Sequence, residues 1–286
     1  SKESFISLNN IFFGTLIFSV MLGVTYPLIY EFLFDQKISV GAPFYNAVFI
    51  PIVVLLYFLI FSIDSKWSRN INLKFLSTPI FLSLFFSSIS VICTAYLFNT
   101  NNLAILVSIF AGAIIIFRYI IEVLNYFLNK KYINPFSVIA HMALGLLLVS
   151  ISFNSLLSTE RALNIKINEY EEYKDFKIYF EDIRVLNNSN NDSIKATFVI
   201  EDLDGKKFNL NPEKRKYFTR GQITTETAIH IMPLKDIYMT IGDQLDDGSW
   251  IVNIQINYLI RFIWFSAALM AFAGIMLVFS NKSKQL

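Results

Sequence analysis

The sequence predicts a polytopic α-helical membrane protein of about six transmembrane helices, with a small antiparallel β domain between helices five and six. Three observations predict this class. Of the 286 residues, 55% are hydrophobic and 16% are charged, whereas a soluble domain has about a quarter charged residues. The apolar residues form long runs, and about 20 apolar residues cross a bilayer. One long polar segment interrupts the series of runs.

Six apolar runs satisfy the length criterion for a transmembrane helix. They are approximately 9–30, 44–63, 75–98, 103–128, 135–157 and 254–279. Pro79 lies near the start of the third run, where a helix tolerates proline. Arg261 and Trp264 lie near the start of the sixth run, a pairing typical of the membrane interface.

Basic residues predict the orientation of these helices. One set of helix ends carries Lys2, Lys66, Arg69, Lys74, Lys130, Lys131, Lys282 and Lys284. The opposite short loops carry only Lys37. The positive-inside rule then puts both termini in the cytoplasm or the mitochondrial matrix, and the polar segment on the other side.

The polar segment predicts a β domain over residues 158–250. KIYFEDIRVL, SIKATFVIEDL and SWIVNIQI alternate or are rich in β-branched and aromatic residues, as strands are. NNSNND, Asp204-Gly205 and Asp247-Gly248 are turn signals between them. The predicted organisation is helices one to five over 1–157, the β domain over 158–250, and helix six with a short tail over 251–286.

The composition also excludes several classes. Cys93 is the single cysteine and lies in an apolar run, so no disulfide forms within the chain and no C-x-x-C-H motif is present. No basic stripe with interleaved aromatic residues indicates nucleic acid. The chain begins at Ser1 without a signal-peptide pattern, which suggests a processed chain or a portion of a longer protein.

His141 lies inside the fifth predicted span. An ionisable side chain at this depth is costly, so it marks a candidate functional site. Imidazole is a common ligand of haem iron and other metals, but a histidine also hydrogen-bonds neighbouring helices. Both interpretations stay open on these residues alone. His230 lies in the polar segment and is not placed to supply a second ligand.

Arg118 and Glu122 lie four residues apart in the fourth predicted span, so they share one helix face. The simplest interpretation is a self-neutralising ion pair. At about 1.5 Å per residue, however, Glu122 and His141 both lie about 10 Å from the inner membrane face. We therefore hypothesise that Glu122 orients the imidazole and that Arg118 meets an anionic group such as a haem propionate.

The polar segment offers further charged and hydroxyl side chains without a legible catalytic arrangement. They are Glu213, Lys214, Arg215, Thr225, Glu226, Asp236 and Tyr238. Runs such as PEKRK are usually solvated faces. No nucleophile with a base, glycine-rich phosphate loop or zinc motif is present, so no catalytic residue is assigned.

An ordered set of motifs carries a resemblance to a known family. The motifs are SKESFISLNN, ISVGAPFYNAVF, AHMALGLLL, NPEKRKYF, TTETAI, KDIYMTIGD, DGSWIVNIQIN and IRFIWFSAALMAFAG. Together and in this order they resemble the C-terminal part of CcmF, the large membrane subunit of the cytochrome c maturation pathway. The resemblance extends over nearly the whole chain.

The resemblance implies a subunit of a cytochrome c haem lyase. CcmF-type proteins receive haem from the chaperone CcmE, attach it to apocytochrome c, and hold a b-type haem between two transmembrane histidines. His141 matches one of that pair. The other histidine and the tryptophan-rich WWD segment belong to the N-terminal part of the family and are absent here. The chain is therefore expected to be a fragment or a split C-terminal subunit, with the ligation site elsewhere.

The same resemblance implies partners and a location. The expected partners are the N-terminal CcmF part, CcmE, CcmH-type maturation subunits, apocytochrome c and membrane lipid. The expected location is a bacterial or mitochondrial inner membrane. Two alternatives remain: an assembly subunit without haem, and a transporter component. The transporter is disfavoured because the sequence has no inverted repeat and no paired broken helices.

Overall fold

The computed structural model describes residues 2–41, 43–45, 47–48, 51–52, 55, 78–129, 133–219 and 221–282. The chain divides into two compact units, 1–81 and 82–286. In the first unit, helix α1 runs over Lys2–Phe34 and contains the first predicted span. The second predicted span, 44–63, falls mostly outside the described residues.

Four further helices are described, and three of them lie wholly in the second unit. They are α2 (Thr78–Leu97), α3 (Leu103–Asn129), α4 (Pro135–Leu157) and α5 (Ile260–Lys282). All five helices in the described part are long and apolar enough to cross a membrane, so the chain is a multi-pass membrane protein. The last helix begins at Ile260, later than the predicted 254, because the preceding residues form a strand.

Asparagines define where α3 and α4 begin. The Asn102 side chain accepts hydrogen bonds from the N–H groups of Ala104 and Ile105, at 3.1 and 3.3 Å. Asn134 accepts from Phe136 and Ser137 in the same way, with Pro135 at the first helical position. These caps satisfy backbone donors that an apolar helix start would otherwise leave unpaired.

The segment between α4 and α5 folds into ten antiparallel strands within the described residues. They are β1 (Thr159–Ile165), β2 (Tyr170–Tyr173), β3 (Phe176–Asn187), β4 (Asn191–Asp202), β5 (Lys207–Leu210), β6 (Glu213–Tyr217), β7 (Ile223–Glu226), β8 (Ala228–Ile231), β9 (Lys235–Gln244) and β10 (Trp250–Tyr258). One sheet has the order β1-β10-β9-β8. The other has the order β2-β3-β4-β6-β7, with β5 also paired to β4.

The inner faces of the two sheets form one apolar core. Alternate residues of β3, β4, β9 and β10 point inward and are fully or almost fully buried, as period-two strands require. Phe180 and Phe198 stack at its centre with their ring centroids 4.4 Å apart. The predicted strands KIYFEDIRVL, SIKATFVIEDL and SWIVNIQI lie in β3, β4 and β10.

Hydrogen bonds join the β domain to the end of α4, and β10 leads into α5 through Leu259. β1 and β10 pair with Thr159 opposite Ile256, so the two tethers leave the domain side by side. The Asn154 amide on α4 donates to the Tyr258 carbonyl at 2.7 Å, and the Tyr258 N–H donates to the Ser158 hydroxyl. The domain therefore stands directly on the ends of α4 and α5.

Candidate functional site

His141 lies on α4, close to the capped start of the helix, and its side chain is half-buried. Its Nδ1 lies 2.7 Å from the backbone carbonyl oxygen of Ser137 and 3.3 Å from the Ser137 hydroxyl. A carbonyl oxygen only accepts hydrogen bonds, so this contact requires the proton on Nδ1. In the neutral imidazole the other ring nitrogen, Nε2, carries the lone pair, and it makes no hydrogen bond to the residues that the structure describes.

Tyr119 on α3 fixes the plane of the His141 ring. The two rings are stacked, with centroids 4.9 Å apart and planes inclined by 9°. Tyr119 is itself buried, with 7% of its surface exposed. The stack and the Ser137 hydrogen bond constrain the imidazole from two directions, which is how ligating histidines are usually held.

A close crossing of α3 and α4 makes this stack possible. Gly112 and Gly145 face each other: a Cβ atom on either would lie 2.8 Å from the other's carbonyl oxygen. Gly145 is one turn beyond His141, and the added Cβ there would also meet Ile116 at 2.8 Å. Small residues at such crossings let two membrane helices approach each other closely.

Arg118 and Glu122 form the ion pair that their spacing predicts. Nη1 of Arg118 lies 3.5 Å from Oε2 of Glu122, and both side chains are largely buried. Among the described residues, Glu122 makes no hydrogen bond to His141. His141 Nδ1–H instead donates to the Ser137 carbonyl, which lies one turn back on the same helix.

The charged residues of β6 pair with residues of neighbouring strands and of β6 itself. Arg215 contacts Glu213 through two hydrogen bonds of 2.9 and 3.0 Å, and it also lies 3.6 Å from Glu226. The Arg215 guanidinium holds the pKa of Glu213 below its usual range. Lys214 reaches across to Asp243 on β9. The described residues bring no three His, Cys, Asp or Glu side chains together as a metal site.

His230 lies on β8, away from His141. Its ring stacks on Phe208 of β5 with centroids 3.6 Å apart, which joins an edge of one sheet to the other. Burial lowers the pKa of His230, nearby Lys206 lowers it further, and Asp236 opposes the shift. We assign it a packing contact and no ligand role.

Sequence reasoning identified His141 but missed the residues that hold it. Ser137 had a legible signal, since it stands four residues earlier on the same helix. Tyr119 lies on another helix, and nothing in the spacing relates it to His141. Gly112 and Gly145 are visible as small residues within apolar runs, but the sequence does not reveal that they contact each other in the folded protein.

Comparisons with known proteins agree with this architecture. Residues 156–257 match the family model described as the CcmF C-terminal beta-sandwich. The chain is 25% identical to the cytochrome c-type biogenesis protein CcmF of Pseudomonas fluorescens, over 96% of this chain and 43% of that protein. It is 27% identical to CcmF of Escherichia coli (strain K12), over 100% of this chain and 45% of that protein.

A solved structure shares the fold. The chain matches a cytochrome c heme lyase CcmF with a TM-score of 0.67 and 16% sequence identity, over 96% of this chain and 45% of that one. The chain thus spans less than half the length of the relatives it matches. The sequence likeness, the β-sandwich and the shared fold agree: this chain is CcmF-like, and the part of CcmF that it resembles is the C-terminal one.

Proposed function

We propose that this chain is a subunit of a cytochrome c haem lyase and holds one side of a transmembrane b-type haem through His141. One observation carries the proposal. The Ser137 carbonyl accepts a hydrogen bond from Nδ1, so Nε2 is the ring nitrogen left to bind a metal ion when the imidazole is neutral. The relatives named as cytochrome c-type biogenesis proteins support the haem-lyase role.

The donor set fits half of a haem site. A neutral imidazole with its second nitrogen hydrogen-bonded is the usual axial ligand of haem iron. A bis-histidine haem needs a second imidazole, and His230 lies in the β domain. The second ligand would therefore come from outside these 286 residues, and we assign it to the N-terminal CcmF part. When bound, such a haem would supply one-electron redox chemistry.

Four neighbouring residues would each have a role at the site. Ser137 holds the Nδ1 proton, and Tyr119 limits rotation of the ring. Arg118 offers a cation on the helix that packs against His141, where it would meet an anionic haem propionate. Glu122 balances that cation when no anion is present. A largely buried guanidinium without a counter-charge would be costly.

The β domain provides the surface for the other members of the system. On this proposal it faces the periplasm or intermembrane space, where CcmE, CcmH-type subunits and apocytochrome c are met. Both termini lie on the cytoplasmic or matrix side of an inner membrane. The covalent attachment takes place on the WWD-bearing N-terminal part rather than in this chain.

The decisive measurement is the reduced-minus-oxidised absorption spectrum of the purified membrane complex. His141→Ala is compared with the intact chain and with His230→Ala as a matched control. We expect a low-spin b-type spectrum that is lost or becomes high-spin in His141→Ala and is unchanged in His230→Ala. An unaltered spectrum and haem content in His141→Ala would contradict the ligand role. The chain would then be an assembly subunit acting through its β domain.

A further inference from the structure

We infer that the hairpin between β8 and β9 is a second membrane contact, with Ile231 and Leu234 seated in the lipid interface beside α5. This contact is independent of haem. It makes the β domain a peripheral membrane element as well as a domain tethered by two helices.

A backbone hydrogen bond holds the tip of this hairpin beside the start of α5. The N–H of Leu259 donates to the carbonyl of Leu234 at 2.9 Å. Leu259 immediately precedes the candidate membrane span Ile260–Ser280. A small cleft between hairpin and helix is lined by Pro233, Leu234, Ile260 and Phe262 among others. The tip of the hairpin therefore lies at the height where the span enters the bilayer.

The exposed side chains of the hairpin and of the first turns of α5 are mostly apolar. Ile231 and Leu234 are 60% and 61% exposed, and they are large aliphatic side chains beside the start of a membrane span. Trp264, one turn into α5, is 73% exposed, and tryptophan is enriched at the membrane interface. The exposed apolar surface thus continues from the hairpin onto the exposed side of α5, a candidate membrane span.

The charges differ between the two ends of the same strand. Near the hairpin, Arg261 at the start of α5 pairs with the buried Asp236 at 3.2 Å, and its side chain is still 44% exposed, at a height where cations meet lipid phosphates. The opposite turn, between β9 and β10, is Leu245-Asp246-Asp247-Gly248 and is acidic and exposed. Acidic groups are repelled by an anionic membrane surface, so this polarity favours lipid at the β8–β9 end.

The turn can enter the interface at little polar cost. The Met232 N–H donates to the Lys235 carbonyl at 3.1 Å, which closes the hairpin, and the Leu234 carbonyl is occupied by Leu259. Lys235 is largely buried, and its ammonium is bonded to Asp175 at 3.0 Å. The groups presented outward are mainly the aliphatic side chains, which gain by leaving water.

A nitroxide spin label tests the depth of the hairpin directly. The full chain is prepared with Cys93→Ala, and one new cysteine is labelled at Leu234→Cys or Ile231→Cys. The matched control is Leu245→Cys at the other end of β9, a strand of ten residues that spans about 33 Å at 3.3 Å per residue. Each protein is placed in phosphatidylethanolamine–phosphatidylglycerol vesicles, and collision rates with oxygen and with a water-soluble nickel chelate are measured.

We expect the oxygen-to-nickel collision ratio to be several-fold higher at positions 234 and 231 than at 245, because oxygen concentrates in lipid and the chelate stays in water. Equal ratios at all three positions would overturn the inference, since the hairpin would then be in water. An immobilised label at 234 shielded from both reagents would also overturn it, because a protein would then cover the hairpin.

Discussion

The crossing of α3 and α4 gives the sharpest test of how His141 is positioned. Gly145→Ala adds one methyl group whose carbon would lie 2.8 Å from the Gly112 carbonyl oxygen. Ordinary contact begins at 3.4 Å, so the helices must separate by about 0.6 Å. The obstructing atom belongs to the backbone and cannot rotate away. Since Gly145 is one turn from His141, the same separation loosens the Tyr119 stack.

The magnitude follows from a matched pair of substitutions. Overpacking a close contact costs about 1–3 kcal/mol, whereas replacing glycine by alanine in a helix gains about 1 kcal/mol. Gly274→Ala on α5 has the second effect alone, because a Cβ there meets nothing within 4 Å. The helix-propensity gain cancels in the comparison. We therefore expect Gly145→Ala to be less stable than Gly274→Ala by about 1–3 kcal/mol.

Unfolding of the purified chain in mixed micelles, titrated with SDS and followed by circular dichroism, measures this difference. Gly145→Ala should unfold at a lower SDS fraction than Gly274→Ala. Gly112→Ala should behave like Gly145→Ala, and the double variant should cost less than the sum, because the first methyl has already separated the helices. Equal midpoints for Gly145→Ala and Gly274→Ala would refute the close crossing and the positioning that we derive from it.

Three further predictions concern the β domain, each followed by urea unfolding with the fluorescence of buried Trp250. Phe198→Ala empties the centre of the core and should cost about 3–5 kcal/mol; a cost below 1 kcal/mol would contradict the packing. Because burial lowers the pKa of His230, the unfolded state binds this proton more readily than the folded one. The free energy of unfolding is therefore highest above about pH 6.5 and falls as the pH drops below that value. His230→Phe should remove this part of the pH dependence of the unfolding free energy. An unchanged pH profile in the variant would contradict a lowered pKa of His230. Arg261→Gln should cost more than Asp236→Asn, by about 1–3 kcal/mol, because it strands a buried carboxylate; the reverse order would contradict this ion pair.

The membrane helices could largely be predicted because their signal is local. The fifth predicted span, 135–157, coincides with α4, since Asn134 and Pro135 mark a helix start that the sequence displays. The start of the sixth span was placed too early because β10 is also apolar and leads into α5 with only Leu259 between them. A run of apolar residues does not reveal by itself where a period of two gives way to 3.6.

The β domain was predictable in kind but not in detail. Long strands such as β3 and β4 alternate clearly, whereas EKRKY of β6 resembles a solvated charged run. It forms a strand because β4 and β7 pair with it on both sides and its charges find partners across the sheet. Strand propensity depends on such neighbours, and a single sequence does not name them.

The same distinction between local and tertiary information bears on His141. A histidine that served only to join two helices would be expected to hydrogen-bond a residue of the neighbouring helix. His141 instead bonds its own helix through Nδ1 and meets α3 through a ring stack, which uses neither nitrogen. Among the described residues, neither of these contacts is a hydrogen bond to Nε2, and the helix that supplies the stack needs a glycine crossing to approach closely enough. Such an arrangement has a physical reason if a further partner takes Nε2. That partner is the haem iron we propose, and the loss of its low-spin spectrum in His141→Ala remains the test.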